Sequence, residues 1–522
     1  MNKTLNSGTV VLVGAAAANE DSHVSPTQAI ITIDTEGSAK PYDRMIFGGF
    51  LEHFDNQIYG GVFEPGSPLA DKDGFRLDVI EALKELKVPV IRWPGGCFVD
   101  AYHWQKGVGR KREQYGDYRW GVIEPNTFGT DEFVELCRRV GAEPYICFNG
   151  LASPQMNLDW VAYCNATDGK FADLRKANGH PEPFNVKFWS VGNERYDKAY
   201  IHRVRDTAKA MKELYPNVVI TCSGSQGGEG TRMNGVHSYL MEQAGEYLDC
   251  VSVHAYWLGR GPALPKFGYL DALAESEMPG AYMTIVADSL REAGMGRLRI
   301  AFDEWNLRAW QHPGFPRSKA ENYDAPEIRE LVERRRSQND VAEQYTMADA
   351  LFAGSFLNSC LRHAEDVRMA NVAPLVNTRG PLFVHPKGIV KRTYFHAMAM
   401  YANLLQERVA TVQIESGKLT GSESSVATVD AIATVDKTGR QWSIALMNRH
   451  PSESVTCTIK MGETALGGSY KATVLAGESP DSYNDIEHPN RVIPKEVNLT
   501  FKIGAISLPP HSLVIVNVPL KK

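Results

Sequence analysis

Eight short apolar runs recur between residues 44 and 377, and this recurrence constrains the fold more than any other feature. They are RMIFGGFLEHF, VPVIRWPGG, EPYICFNG, VKFWSVGNE, VVITCSG, DCVSVHAYW, RLRIAFDEWN and VRMANVAPLVN. Most are near-continuous and rich in Val and Ile, the pattern of parallel strands buried on both faces. Helical periodicities lie between several of them. Residues 71–86 place Leu77, Ile80, Leu83 and Leu86 on one face with charges opposite. Thr130 is positioned to cap the next helix, which brings Phe133, Leu136 and Val140 together. Residues 200–214 and 342–363 read the same way. Eight alternations of strand and helix over about 330 residues predict a (β/α)8 barrel. A doubly wound open sheet is the competing arrangement and would bring a glycine fingerprint for a dinucleotide. The one candidate, SGSQGGEG at 223–230, lacks that spacing and reads as a flexible loop.

The pattern changes after Arg408. Short alternating segments follow (TVQIES, SVATVDAIATV, WSIALMNR, VTCTIKM, YKATVLAG, EVNLTFK and HSLVIVNVPL), separated by Gly, Pro, Asn and Asp. This is the signature of an antiparallel β-sandwich. The run AIITIDTEG at 29–37 is also strand-like and precedes the barrel. The expected organisation is an N-terminal segment over 1–28, disordered or weakly signal-like; a strand over 29–40 joining the sandwich; the barrel over 41–408; and the sandwich over 409–522.

Composition narrows the partners. The chain has 522 residues, a net charge of -6, 43% hydrophobic and 23% charged residues. Mild acidity spread along the chain excludes nucleic acid as the expected partner, because phosphate binding needs a basic face. The basic cluster Arg334-Arg335-Arg336 follows Glu330 and Glu333 and reads as a solvated helix face. No apolar run is long enough to span a membrane. The eight cysteines are scattered without zinc-site spacing, and Cys137, Cys147, Cys222 and Cys250 lie in apolar segments, which points to a reducing compartment. Lys3 precedes the apolar stretch 9–18, but Asn6, Ser7 and Gly8 dilute it. A cytoplasmic location is expected, with secretion as the alternative.

In such a barrel the active site forms at the C-terminal ends of the strands. Those ends carry Glu52-His53, Arg92-Trp93-Pro94-Gly95-Gly96-Cys97, Asn149, Asn193-Glu194, His254-Ala255-Tyr256-Trp257, Asp303-Glu304-Trp305-Asn306 and Asn371. Glu194 and Glu304 each close an otherwise apolar strand, the fourth and the seventh, which lie across the barrel mouth. A charge at a buried strand end is costly unless it is used. Two facing carboxyls suit glycoside hydrolysis, one protonating the leaving oxygen and the other attacking the sugar carbon. Arg92 and Tyr256 are positioned to hold Glu304 ionised, and Asn193 to bind a sugar hydroxyl. His254 reads equally as a core histidine or a site residue. Trp93, Trp104, Trp257 and Trp305 read as an aromatic platform for a sugar. Cys97 is either structural or in contact with the sugar. The Pro94-Gly95-Gly96 turn lets backbone approach a ligand.

Taken in order, the motifs GGFLEHFDNQIYGGVFEPGSP, IRWPGGCFVDAYHWQKGVG, NVKFWSVGNE, SVHAYW, AFDEWN and RMANVAPLVN resemble the α-L-arabinofuranosidases of glycoside hydrolase family 51. The resemblance runs from about residue 30 to near the C-terminus. It implies a retaining enzyme built on a (β/α)8 barrel with a β-sandwich, acting on arabinofuranosyl oligo- and polysaccharides. It also implies homo-oligomers, often hexamers, and hydrolysis by two carboxyls needs no metal or organic cofactor. By position, Glu194 resembles the family's general acid/base, Glu304 the nucleophile and Asn193 the ligand of the sugar 2-hydroxyl. Glu52 resembles the residue gripping hydroxyls at the far end of the furanose, and Arg92 and Tyr256 the pair supporting the nucleophile. Cys97 matches a position that holds Cys in some members and Asn in others. Two stretches depart from the pattern. Arg195-Tyr196-Asp197 follows the acid/base where many members carry a longer loop. Ala373-Pro374-Leu375 stands where many carry a Gln that touches the sugar. A related furanose such as β-D-galactofuranose, an endo-acting β-glucanase or xylanase, a binding protein without turnover, and a metal-dependent barrel hydrolase, for which the expected His pairs at strand ends are lacking, remain as alternatives.

Overall fold

The computed structural model describes residues 25–117, 119–121, 123–224, 234–258, 268–309, 330, 345–421 and 425–520. The apolar stretch at 9–18, most of the SGSQGGEG run and Arg334-Arg335-Arg336 lie outside them.

The eight apolar runs form one closed barrel of eight strands. In chain order these are β1 (Gly48–Phe50), β2 (Val90–Trp93), β3 (Glu143–Cys147), β4 (Phe188–Val191), β5 (Val219–Ser223), β6 (Cys250–Leu258), β7 (Arg299–Arg308) and β8 (Val367–Val372). Every neighbouring pair is parallel, and β8 closes on β1 through Asn371 opposite Gly48. The strands bury both faces, which is why they read as continuous apolar runs and not as alternating ones.

The barrel interior is layered by the period of two along each strand. Val90, Tyr145, Phe188, Cys250, Ala301 and Met369 form a buried apolar floor. Two residues further along the same strands stand Arg92, Cys147, Ser190, Ser252, Asp303 and Asn371, all buried as well. The interior therefore changes from apolar to polar in one step, just below the barrel mouth. Between β6 and β7 the register shifts after Ser252, and between β7 and β8 it shifts between Phe302 and Trp305. Bulges of this kind re-aim side chains. Here they let the consecutive residues Asp303 and Glu304 both reach the polar interior.

The second unit consists of two packed sheets. Gln28–Ile33 pairs antiparallel with Val412–Ser416 and parallel with Val455–Met461. The facing sheet has seven strands, including Val429–Val435, Gln441–Asn448 and Ser512–Pro519, with Lys40–Pro41 at one edge. Ile31, Ile33, Val429, Ile444, Ile459, Val514 and Val516 fill the space between them. The helix Met347–Arg362 joins this unit to the barrel. Asn358 donates to Asp430 at 2.9 Å, and Arg449 reaches both Asp430 (3.1 Å) and Ser355 (2.8 Å).

Two local expectations need correction. Leu77 begins the helix Leu77–Glu85 but is 50% exposed, because the buried stripe starts at Val79 and Ile80. Thr130 is the first residue of the helix Thr130–Val140 and does not cap it. Gly129 occupies the cap position, its N–H donating to the Glu132 carboxylate at 2.8 Å, while the Thr130 hydroxyl accepts from the Trp160 indole at 3.0 Å. None of the eight cysteines is in a disulfide, and all but Cys97 are buried. Among the described residues no helix is long and apolar enough to cross a membrane.

Candidate active site

The C-terminal end of β7 delivers Glu304 into the polar layer, with its side chain 3% exposed. The Arg92 guanidinium donates to one carboxylate oxygen at 2.7 Å, and the Tyr256 hydroxyl donates to the other at 2.7 Å. Arg92 is itself fully buried and directs its second arm to Asn193 Oδ1 at 2.8 Å. One guanidinium thus ties the end of β7 to the end of β4. The fork geometry of Arg suits this double duty, which a lysine would not reproduce.

Glu194 follows β4 on an unusual backbone. Gly192 has φ +77°, and a Cβ there would stand 2.9 Å from the Gly150 Cα, so the turn needs a glycine. Glu194 itself has φ +44°, a left-handed conformation that a non-glycine residue adopts at a cost. The turn swings Asn193 and Glu194 over the barrel mouth. Arg195 secures it from the other side, donating twice to Asp100 at 3.1 and 3.0 Å.

His254 is the hinge between the two glutamates. Its Nδ1 lies 2.9 Å from Glu194 Oε1 and 3.6 Å from Glu304 Oε2. Its Nε2 lies 3.2 Å from Asp303 Oδ1. Burial alone would lower the imidazole pKa, but Glu304, Asp303 and Glu194 outweigh it and raise it to about 10. Burial likewise works against ionised Asp303, yet Arg92, His254 and Ser252 hold its carboxyl down at about 2. Tyr145 donates to the second Asp303 oxygen at 2.7 Å. Of the two readings of His254, the structure supports the site residue. One polar atom from each of Glu194, His254 and Glu304 lies within 4.8 Å of the others. Glu304 already receives donors on both oxygens, so this is a hydrogen-bonded ion cluster.

Glu52 lies two residues past the end of β1 and is completely buried. Its Oε1 accepts from the Phe98 N–H at 2.7 Å and from the Trp120 indole at 2.8 Å. Burial, then the Glu304 charge, raises its pKa well above the usual carboxylate range, against those two donors and Arg92. Cys97 sits between the walls, partly exposed. Burial and then the charges of Glu194 and Glu52 push its thiol well above the usual range. All seven expected site residues, Glu52, Arg92, Cys97, Asn193, Glu194, Tyr256 and Glu304, therefore gather at one end of the barrel.

The aromatic platform does not form. Trp93, Trp104 and Trp305 are at most 1% exposed. Trp93 stacks on Phe133 at 4.8 Å, Trp104 on Trp160 at 6.0 Å and Trp305 on Phe356 at 4.0 Å. Trp257 packs against Phe302 and Phe352. Asn149 and Asn371 are also structural. Asn149 spends both amide ends on the backbone of Asp100, Tyr102 and Leu151, and Asn371 donates to the Gly49 carbonyl. The residues that the strand-end reading missed are Tyr145 and Ser252, which sit below the rim, and Trp120, which comes from a loop.

A (β/α)8 barrel with two close carboxyls at its mouth, one braced by Arg and Tyr and one beside an imidazole, is the site of a glycosidase. Comparison with known proteins narrows the class. Two family models match: "Alpha-L-arabinofuranosidase 1 domain" over residues 82–256 and "Alpha-L-arabinofuranosidase C-terminal domain" over residues 303–512. A probable α-L-arabinofuranosidase C of Aspergillus fumigatus is 32% identical over 506 residues, covering 90% of this chain and 93% of its own. The intracellular exo-α-(1→5)-L-arabinofuranosidase of Bifidobacterium longum is 31% identical over 521 residues, covering 93% and 91%. The crystal structure of the α-L-arabinofuranosidase of Thermotoga maritima with arabinose superposes with a TM-score of 0.80 at 29% identity, over 94% of this chain and 100% of that one. The chain belongs to the α-L-arabinofuranosidases of glycoside hydrolase family 51.

Proposed function

We propose that the enzyme releases terminal α-L-arabinofuranose from arabinose-containing oligo- and polysaccharides, with retention of configuration, by double displacement. The observation that carries this reading is the approach of Glu194 and Glu304, whose nearest polar atoms fall within 4.8 Å. Retaining glycosidases hold their two carboxyls about 5–5.5 Å apart, whereas inverting enzymes leave room for a water between them.

In the first step Glu304 attacks the anomeric carbon as the bond to the leaving oxygen breaks, and that oxygen takes a proton from Glu194. The arabinosyl group is then esterified to Glu304. In the second step Glu194 removes a proton from water, the water oxygen attacks the anomeric carbon, and Glu304 is released as carboxylate. The hydrogen bond between His254 and Glu194 supports the acid role, because it stores a proton that either group can carry. Asp303, ionised, keeps a proton on Nε2 and orients the ring. Arg92 and Tyr256 each donate to one oxygen of Glu304 and aim it. Asn193, held by Arg92, is the proposed contact for the 2-hydroxyl, Glu52 for hydroxyls at the far end of the ring, and Cys97 for the sugar face between them.

A panel of aryl glycosides tests the sugar: α-L-arabinofuranoside, β-D-galactofuranoside, β-D-xyloside and β-D-glucoside. Preference for the first, with monosaccharide as the only product from arabino-oligosaccharides, is expected. NMR of the first-formed product should show the α-anomer. Prompt formation of the β-anomer would overturn the retaining mechanism. The galactofuranoside belongs in the panel for a specific reason. Ala373 packs with Phe50, Tyr256 and Ala309 into an apolar wall in the stretch where many members carry a sugar-contacting Gln. A homo-oligomer, hexameric as in much of the family, and a cytoplasmic location complete the proposal. Light scattering and cell fractionation test them.

A further inference from the structure

Among the described residues Glu52 uses one of its two oxygens. Oε1 takes two donors, from the Phe98 N–H at 2.7 Å and the Trp120 indole at 2.8 Å. Oε2 is equally buried and has no hydrogen-bond partner among the described residues. A buried polar atom without a partner costs on the order of 1–3 kcal/mol, so its persistence asks for a function. The turn Gly95-Gly96 presses on this carboxyl. A Cβ at Gly96 would stand 2.5 Å from Oε2, and one at Gly95 2.7 Å from the Glu52 Cγ. Backbone therefore closes one side of the group, and the two donors fix its rotation.

Trp120 reaches Glu52 from the turn between the paired residues Tyr115–Gly116 and Ile123–Glu124. Asp117 forms that turn, accepting from the Trp120 N–H at 2.6 Å and the Arg119 N–H at 3.2 Å. The Trp120 ring stacks on Phe54 at 3.9 Å, which sets the height of the indole N–H. Arg119 returns to the site floor, donating to the Cys97 carbonyl at 3.2 Å and approaching Asp100 at 3.5 Å. Asp100 is the residue that holds Arg195, next to Glu194. One turn thus touches both walls of the pocket.

We propose that Trp120 is a positioning residue: by occupying Oε1 it leaves Oε2 of Glu52 as the group presented to a substrate hydroxyl, and so governs recognition of that hydroxyl. This rests on the furanosidase reading above. The chemistry also fixes the sense of the contact. Because burial and Glu304 favour the neutral carboxyl, and Oε1 is the acceptor of two N–H groups, the acid proton belongs on Oε2. Glu52 then donates an O–H to the oxygen of the sugar hydroxyl. Without the indole, the carboxyl can rotate and exchange the roles of its oxygens.

The test uses Trp120→Phe, which keeps a ring on Phe54 and removes the N–H. The substrates are aryl α-L-arabinofuranoside and its 3-deoxy and 5-deoxy analogues. In the natural enzyme one deoxy analogue should lose about tenfold or more in kcat/KM, the size expected for one hydrogen bond in a buried site. In Trp120→Phe the parent substrate should fall by a similar factor while that deoxy penalty shrinks to about twofold or less. A purely structural role would lower parent and analogue alike and leave the penalty intact, and that result overturns the proposal. Replacing the Trp120 indole by benzothiophene keeps shape and stacking and gives the same readout should the Phe variant fail to fold. The two readings fail differently. If the natural enzyme does not turn over the arabinofuranoside at all, the furanosidase reading falls and this inference with it. If it does and the penalty survives in the variant, only the role of Trp120 is lost.

Discussion

The two glutamates of this site are held in opposite ways. Glu304 is 3% exposed and bound by Arg92 and Tyr256, within a strand paired on both sides. Glu194 is 19% exposed, stands on a left-handed backbone past the end of its strand, and meets an imidazole able to carry its proton. The contrast matches the two tasks proposed for them. A nucleophile has to stay ionised and fixed in place, so surrounding donors help it. A group that gives and takes protons has to reach water and the leaving group, so a fully satisfied carboxylate would be inert. His254 touches both and lets one cation serve the pair.

Breaking the fixed side should cost most. Glu304→Ala is expected to lower kcat on an aryl α-L-arabinofuranoside by on the order of 10⁴-fold or more, the scale for removing a catalytic nucleophile. Steady-state assays measure the loss. A peptide map of denatured, slow-turnover enzyme should find the sugar on Glu304. Activity within tenfold of the natural enzyme would remove Glu304 from the mechanism.

Breaking the more exposed side should cost less, and the cost should depend on the substrate. Glu194→Ala is expected to lose about 10²–10⁴-fold for an alkyl or sugar leaving group, the usual contribution of general acid catalysis. For an activated phenol the first step needs little protonation, and its loss should be much smaller. An equal loss across leaving groups of different pKa would contradict the assignment.

A middle-sized effect separates bracing from chemistry. Tyr256→Phe removes one donor from Glu304 and leaves the ring among Phe50, Ala309 and Ala373. A loss of about tenfold in kcat/KM is expected, since one hydrogen bond to a charged group is worth about 1.5–3 kcal/mol before neighbouring groups readjust.

The same contrast explains what could be read from the sequence. The barrel is legible because its strands are buried on both faces and stand out as apolar runs, and the two glutamates because each ends such a run. The tryptophans mislead for a reason that the period of two already contains. If Arg92, Tyr256 and Glu304 face the pocket, their neighbours Trp93, Trp257 and Trp305 face away, into the surrounding helices. They are large because that layer is deep, and Trp305 lies flat on Phe356 of the helix Met347–Arg362. Applying the same period below the rim would have found Ser252 and Tyr145 as inward residues. Trp120 had no such signal, because it sits on a turn whose contact with Glu52 spans 68 residues and is set by tertiary packing. The capping of the helix Thr130–Val140 was misplaced by one residue, since Gly129 with Glu132 satisfies the first turn and frees Thr130 for Trp160.

The last effect concerns the charge shared by the two sides. His254 faces Glu194, Asp303, Glu304 and the Ser252 hydroxyl, and its pKa in the fold rises from about 6.5 to about 10. A raised value means that the folded state holds the proton more tightly than the unfolded chain. The stabilisation is complete below the ordinary imidazole range near 6.5 and fades as pH climbs toward about 10. Thermal unfolding of the natural enzyme should therefore lose ground across that interval relative to His254→Gln, whose side chain carries no titrating proton. The variant should also move the acid limb of kcat/KM to higher pH, because a cation beside two carboxylates has been removed. If the two unfolding curves stay parallel from pH 6.5 to 10, the imidazole is neutral in the fold, and the bond between His254 and Glu194 then holds the acid's own proton from the start.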